Sequence, residues 1–203
     1  MSDYPAITLH SRFNRIMAIA LWVVAALMVI GGMTSGDLRL AWVYPAALLV
    51  AFFAWAGLWR PYVRVDDSGV TLQNVTHRVE IPWSALIHVD TRYALTLYTP
   101  GQKFAAWAAP APGILSSSLA GRSAANREAR ATGSALRPGD LLGTESGNAA
   151  TVVREQWQAR VERGGVDAGS ADAVPVSRHW DLPVAAASVA LIIATGWLLA
   201  TNG

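Results

Sequence analysis

Between Arg60 and Pro112 apolar residues return at every second position, whereas on either side of this stretch they run without interruption. Val63 and Val65 alternate with Tyr62, Arg64 and Asp66; Val70 and Leu72 with Thr71 and Gln73; Val79, Ile81 and Trp83 with Arg78, Glu80 and Pro82. Successive side chains of a strand point to opposite faces, so this period predicts strands with one buried face. Ile87 with Val89, Leu95 with Leu97, and Phe104 with Trp107 predict three more, separated by turn residues at DDSG, QNVTH and TPGQK. The expectation over residues 60–112 is an antiparallel meander of about six short strands. Trp83 and Trp107 are its expected core anchors.

Three charge-free runs flank the meander: Ile16–Met33, Ala41–Trp59 and Leu182–Ala200. Each is long enough, at ~1.5 Å per residue, to cross most or all of a hydrocarbon core of about 30 Å. A signal peptide is the competing reading of the first run. It is set aside because the run exceeds an ordinary h-region, lacks an A-x-A site and is followed after TSGDLRL by the second run. Residues 16–59 therefore read as a transmembrane hairpin and residues 182–200 as a single third span, with Trp42, Trp59 and Trp180 at or near run ends, where aromatic belts lie. Ala186, Ala190 and Ala194 share one face of the third run, a small-residue seam for the hairpin or for a partner, with packing against the hairpin the expectation.

Composition agrees. Of 203 residues only 15% are charged, against about 25% in soluble domains, and the mean hydropathy is +0.31. The net charge of +2 carries no basic stripe of the kind that nucleic acid requires. Cysteine is absent, which removes disulfides, thiolate metal sites and cysteine nucleophiles.

Residues 113–150 are rich in Gly, Ser and Ala and read as a flexible loop; Arg122, Arg127, Arg130 and Arg137 within it are diluted by Glu128 and Asp140, more a solvated linker than a lipid-headgroup site. Helical period returns at residues 151–163, where Val153, Trp157 and Val161 share a face, Thr151 is the expected N-cap and Gly164 and Gly165 form the stop. Its mixed polar face favours capping the sheet over lying on a membrane. Residues 164–181 read as a tether and residues 1–15 as a polar N-terminal segment.

No catalytic, cofactor-binding or metal-binding residues stand out, and no cofactor is implied. His77 and His88 lack ligand spacing. Asp66 and Asp67 are strand-end neighbours in ordinary turn chemistry, and Ser116–Ser118 lacks a nucleophile elbow.

Three segments carry a family resemblance: R-P-x-V-x-V-D-x-x-G-V-T at Arg60–Thr71, V-x-I-P-W at Val79–Trp83 and K-x-x-A-W-A-x-P at Lys103–Pro110. With two preceding spans, this resembles the bacterial pleckstrin-homology-like (PH-like) domain of small actinobacterial membrane proteins, a family that includes a mycobacterial low-molecular-weight protein antigen. The resemblance covers roughly a third of the chain and implies a strongly bent antiparallel sheet closed at one end by a helix. The expected fold class is thus a membrane α plus small β protein: three transmembrane helices with a PH-like sheet capped by a helix. Phosphoinositide recognition is not expected, because the first strand-to-strand loop is Asp66-Asp67-Ser68-Gly69 and would repel clustered phosphates.

Two function classes follow. One is a noncatalytic interaction or scaffolding module on the bilayer, with a membrane or cell-envelope protein as partner, strand addition at an open sheet edge being one mode. The other is an accessory subunit or small-ligand or lipid-handling component of a transporter or envelope enzyme. The spans carry no ionisable residue, which favours the first.

Arg12 and Arg15 precede the first run, Arg39 alone lies in the link, Arg60 and Arg64 follow the second run and Arg178 precedes the third. The positive-inside rule then places the N-terminus and the meander in the cytoplasm and the C-terminus outside. A reporter fused after Gly203 is expected to read the extracytoplasmic side and one inserted at Ser134 the cytoplasm; the opposite pattern overturns this topology.

Overall fold

Strands β1 (Ile7–Leu9), β2 (Tyr62–Val65), β3 (Gly69–Gln73), β4 (His77–Pro82), β5 (His88–Asp90), β6 (Ala94–Thr99), β7 (Gln102–Pro110) and β8 (Ser177–Trp180) form two sheets in this computed structural model. The structure describes residues 6–112, 140–141, 143–164, 166 and 171–202. Among the described residues four α-helices accompany the strands: α1 (Arg12–Ser35), α2 (Val43–Phe53), α3 (Glu145–Glu162) and α4 (Leu182–Asn202). The chain divides into two units, one of strands and α3, the other of the apolar helices with Val75–His77.

In the first unit the six strands of the meander are shared between a five-stranded sheet, order β1-β2-β3-β4-β8, and a three-stranded sheet, order β5-β6-β7. Alternation holds along β2, β4 and β6, whose Val63, Val65, Val79, Ile81, Leu95 and Leu97 are buried. The 3-10 turn Trp83–Ala85 follows β4, so Trp83 belongs to the turn and not to a strand. β6 and β7 join through Pro100 and Gly101; Gly101 holds φ +70, which only glycine adopts without strain. Asn74 links the two sheets: its carboxamide donates to Ala105 O (3.0 Å) and accepts from Trp107 N (2.9 Å), acting as one rung of a ladder beside β7. That edge is thereby occupied at its middle.

Three boundaries differ from the sequence expectation. Ile7–Leu9, within the supposed polar N-terminal segment, pairs antiparallel with β2, Ile7 opposite Val65; three residues are too few to display a period. The supposed tether contains β8, exposed on both faces and so without alternation. The capping helix starts at Glu145 inside the supposed loop, with Thr144 as N-cap: its Oγ1 accepts from Gly147 N at 3.0 Å. Thr151, the expected cap, lies within the helix and donates to Gly147 O. The first turns escaped notice because Ser146, Gly147, Ala149 and Ala150 are buried there, small residues that bring α3 close to its neighbours without a large apolar stripe. The remainder of the supposed loop, with its four arginines and Ser116–Ser118, falls at residues 113–139, outside the described residues.

The helical unit has three helices long and apolar enough to cross a membrane: Arg12–Ser35, Arg39–Trp59 and Leu182–Thr201. The second is composite, a 3-10 turn Leu38–Trp42, then α2, then a π-helical segment Ala54–Trp59. α1 turns Asn14, Ala18, Ala25 and Gly32 inward and the second span Ala47, Ala54 and Ala56. Small side chains let backbones approach where lipid offers no hydrophobic drive for association. Trp22 Nε1 donates to Ala51 O (3.0 Å), one turn before the π segment. α4 faces inward through Val184, Ala187, Ser188, Leu191, Thr195 and Leu198, while Ala186, Ala190 and Ala194 are exposed. The alanine stripe is therefore not the seam with the hairpin. The hydroxyls of Ser188 and Thr195 bond to carbonyls four residues back, so the inward face carries no idle donor there.

The tightest backbone approach is at Gly69, where an added Cβ would overlap the carbonyl of Ile81 on β4. Gly69→Ala is expected to cost about 1–3 kcal/mol, read as a lower unfolding midpoint. Gly196→Ala, in open space on α4, should leave the midpoint unchanged or raise it.

Candidate functional site

α3 is held on the sheets by two arginines flanking its apolar face. Val153 is fully buried and Val152 and Trp157 pack against the core. On one flank, Arg154 donates from both terminal nitrogens to Asp140 Oδ1 (3.0 Å each) and from Nη2 to Val89 O of β5 (3.0 Å). Thr91 Oγ1 donates to the same carboxylate oxygen at 2.8 Å. On the other flank, the Arg160 guanidinium lies over the Trp83 ring (4.7 Å to its centroid) and reaches Asp67 Oδ1 at 3.1 Å. Trp83 is 4% exposed, and its indole N–H donates to Asp66 O (3.0 Å).

This geometry decides the electrostatics of the Asp66–Gly69 turn. Asp67 is neutralised from within by Arg160. Asp66 accepts from Ser68 N (3.0 Å) and Ser68 Oγ (2.6 Å) and faces Arg64 Nε at 3.3 Å. Burial, the largest single influence on the Asp66 carboxyl, works to raise its pKa. The Ser68 hydrogen bonds, Arg64 and the Gly69 backbone together outweigh it and hold the value below the ordinary carboxylate range.

Beside the C-terminal half of α3 lies an apolar cavity of about 560 Å³, lined by Leu86, Ile87, Trp157, Val161, Val166 and Ala171, with Ser84, Gln158 and Glu162 as its polar members. Its volume falls in the range of about 300–1,000 Å³ usual for ligand sites. Trp157 Nε1 is buried and meets no acceptor among the described residues. A second, more polar cavity of about 230 Å³ lies over Thr71, Arg78, Glu80 and Ser177.

Trp107, expected in the core, is 55% exposed on β7. Phe104, Ala106 and Ala108 take the inward positions of that strand and Lys103, Ala105 and Trp107 the outward ones; the choice of face was a one-residue register matter that a run of alanines could not reveal. His77 is half-buried, 3.0 Å from Thr76 Oγ1, with its ring near Trp180. His88 is exposed, its ring tilted against that of Tyr98. The two histidines stand on strands of different sheets. Among the described residues no group of three or more His, Asp or Glu could hold a metal ion.

A family profile described as a bacterial PH domain matches residues 60–202. The chain belongs to the bacterial PH domain family. Nothing matches it among curated proteins or among solved structures. The match covers well over half of the chain, more than the third carried by the three sequence segments. It runs from the end of the second span through α4, so α3 and α4 lie within the PH domain's matched length. In this PH domain the turn at Asp66–Gly69 is sealed by its own carboxylates and by Arg160, with no free cationic cluster in the turn itself.

Since the folded pKa of Asp66 is depressed, its charge stabilises the fold fully above the unfolded value of about 4, and that contribution is lost as pH falls through the folded value. Asp66→Asn is expected to lower the unfolding midpoint at pH 7, with the gap from the natural chain closing as the pH is taken below about 4. A gap independent of pH would show that the carboxylate charge contributes nothing.

Proposed function

We propose that this chain is a membrane-anchored PH domain acting as a noncatalytic interaction module, which takes an apolar segment of a membrane or envelope protein into the cavity beside α3. The observation that carries the reading is Trp157. Its ring lines an apolar space and its N–H is buried without an acceptor, whereas a buried indole ordinarily finds one. Apolar side chains of the partner segment fill the space around Ile87 and Val161 and cover the Trp157 ring. The three apolar helices supply the anchor. The distribution of Arg12, Arg15, Arg60 and Arg64 supports a cytoplasmic N-terminus and PH domain with an extracytoplasmic C-terminus. Kinship with the actinobacterial antigen family belongs to the same reading and rests on the segments at Arg60–Thr71, Val79–Trp83 and Lys103–Pro110.

The test is photocrosslinking of the full chain in native membranes, with the reactive group at Ile87 or at Val161 and, as a control, at Lys103 on the outer face of β7. One recurrent polypeptide is expected from the first two positions and not from the third. Trp157→Ala should reduce its capture several-fold, because the ring that lines the apolar space is removed. Equal capture from all three positions would sink the proposal. A small molecule crosslinked at Ile87 with no polypeptide would favour the ligand-handling alternative.

A further inference from the structure

One end of the helical unit gathers arginines with too few carboxylates. Arg12 and Arg15 lie at the start of α1, Arg60 follows the π segment that ends the second span, and Asp181 precedes α4. Asp181 is committed to Arg60, with Oδ1 at 2.8 Å from Nη2. Asp37, the other acid of the unit, is in the link at the far end of the hairpin, where it accepts from Arg39 N.

Arg15 has no carboxylate partner among the described residues. Its guanidinium lies over the Trp59 ring at 5.0 Å, and Trp59 is packed in turn against Trp22 at 5.1 Å. Arg15 Nε is buried and meets no acceptor. Stacking occupies the flat face of the guanidinium and burial encloses Nε, which leaves the two terminal nitrogens as the in-plane donors available to an oxyanion.

The surroundings select the source of that oxyanion. Ile19 and Val23 follow Arg15 at four and eight residues along α1, hence on the same face. They are 50% and 53% exposed, an open apolar track leading away from the charge. A soluble phosphate would use the guanidinium and leave the track bare; a phospholipid uses both.

We propose that Arg15, stacked on Trp59, is the headgroup phosphate site for one anionic phospholipid, whose acyl chain lies along Ile19 and Val23. Arg12, three residues earlier on the same face, adds positive charge that favours anionic over zwitterionic headgroups. The site is independent of the cavity beside α3.

The test is native mass spectrometry of the full-length chain in neutral detergent, offered phosphatidylglycerol and phosphatidylcholine of matched acyl chains. Phosphatidylglycerol is expected to be retained about tenfold over phosphatidylcholine. Arg15→Gln should abolish the preference, Arg15→Lys should weaken it by keeping charge without the planar donors, and Arg39→Gln should leave it intact. Equal retention of the two lipids by the natural chain overturns the proposal without recourse to any variant, as does a preference that survives Arg15→Gln. Inorganic phosphate is offered in a separate arm. Displacement of the lipid by millimolar phosphate would show a soluble-phosphate site and overturn the lipid assignment; failure to displace it supports the acyl track.

Discussion

The Arg160 guanidinium is the contact on which the PH domain's β unit turns. One planar group stacks on Trp83, reaches the Asp67 carboxylate and so ties α3 to the β2–β3 turn. Trp83 fixes the same turn from below by donating to Asp66 O. The helix itself offers little large apolar surface in its first turns, where Ser146, Gly147, Ala149 and Ala150 make the buried contact. Close approach by small residues yields limited hydrophobic gain, so directional charge-assisted bonds at Arg160 and Arg154 set the helix's place on the sheets. Because they come from opposite flanks, one arginine addresses the β2–β3 turn and the other β5.

That clamp also has a functional cost. The Asp66–Gly69 turn, which a phosphate-reading PH domain would arm with lysine and arginine, is here armed with carboxylates, and one of them is spent on Arg160. On the other side of α3 the helix leaves Trp157 and Val161 beside Leu86 and Ile87. The closed turn and the open cavity are two results of how one helix is seated.

Close packing by small residues recurs inside the helical unit for a different reason. Ala18, Ala25, Gly32, Ala47, Ala54 and Ala56 are turned inward, and the bulky Ile, Leu and Val side chains are turned out. In water such an arrangement would be unstable; in hydrocarbon the exposed side chains cost nothing and the close backbones gain dispersion contacts. The polar groups that remain among these helices are matched within the unit, as Trp22 to Ala51 O and Arg60 to Asp181. Arg15 Nε stands apart from that pattern.

The order of residues by itself determined the features that depend on local period and solvent: the three apolar runs, the strands at Val63–Val65, Val70–Leu72, Val79–Ile81, Val89 and Leu95–Leu97, the turn at TPGQK, and the PH resemblance in three short segments. These are legible because alternation and unbroken hydrophobicity are properties of neighbouring residues. What only the tertiary structure decided depends on partners distant in the chain. Ile7–Leu9 is a strand because β2 is there to pair with it, and Glu145–Ala150 is helix although it carries no apolar stripe, its small residues being buried. Trp107 points outward because Phe104 took the core face of an alanine-rich strand. The cavity beside α3 and the stacking of Arg15 on Trp59 are likewise invisible in one dimension, since each joins residues distant in the chain.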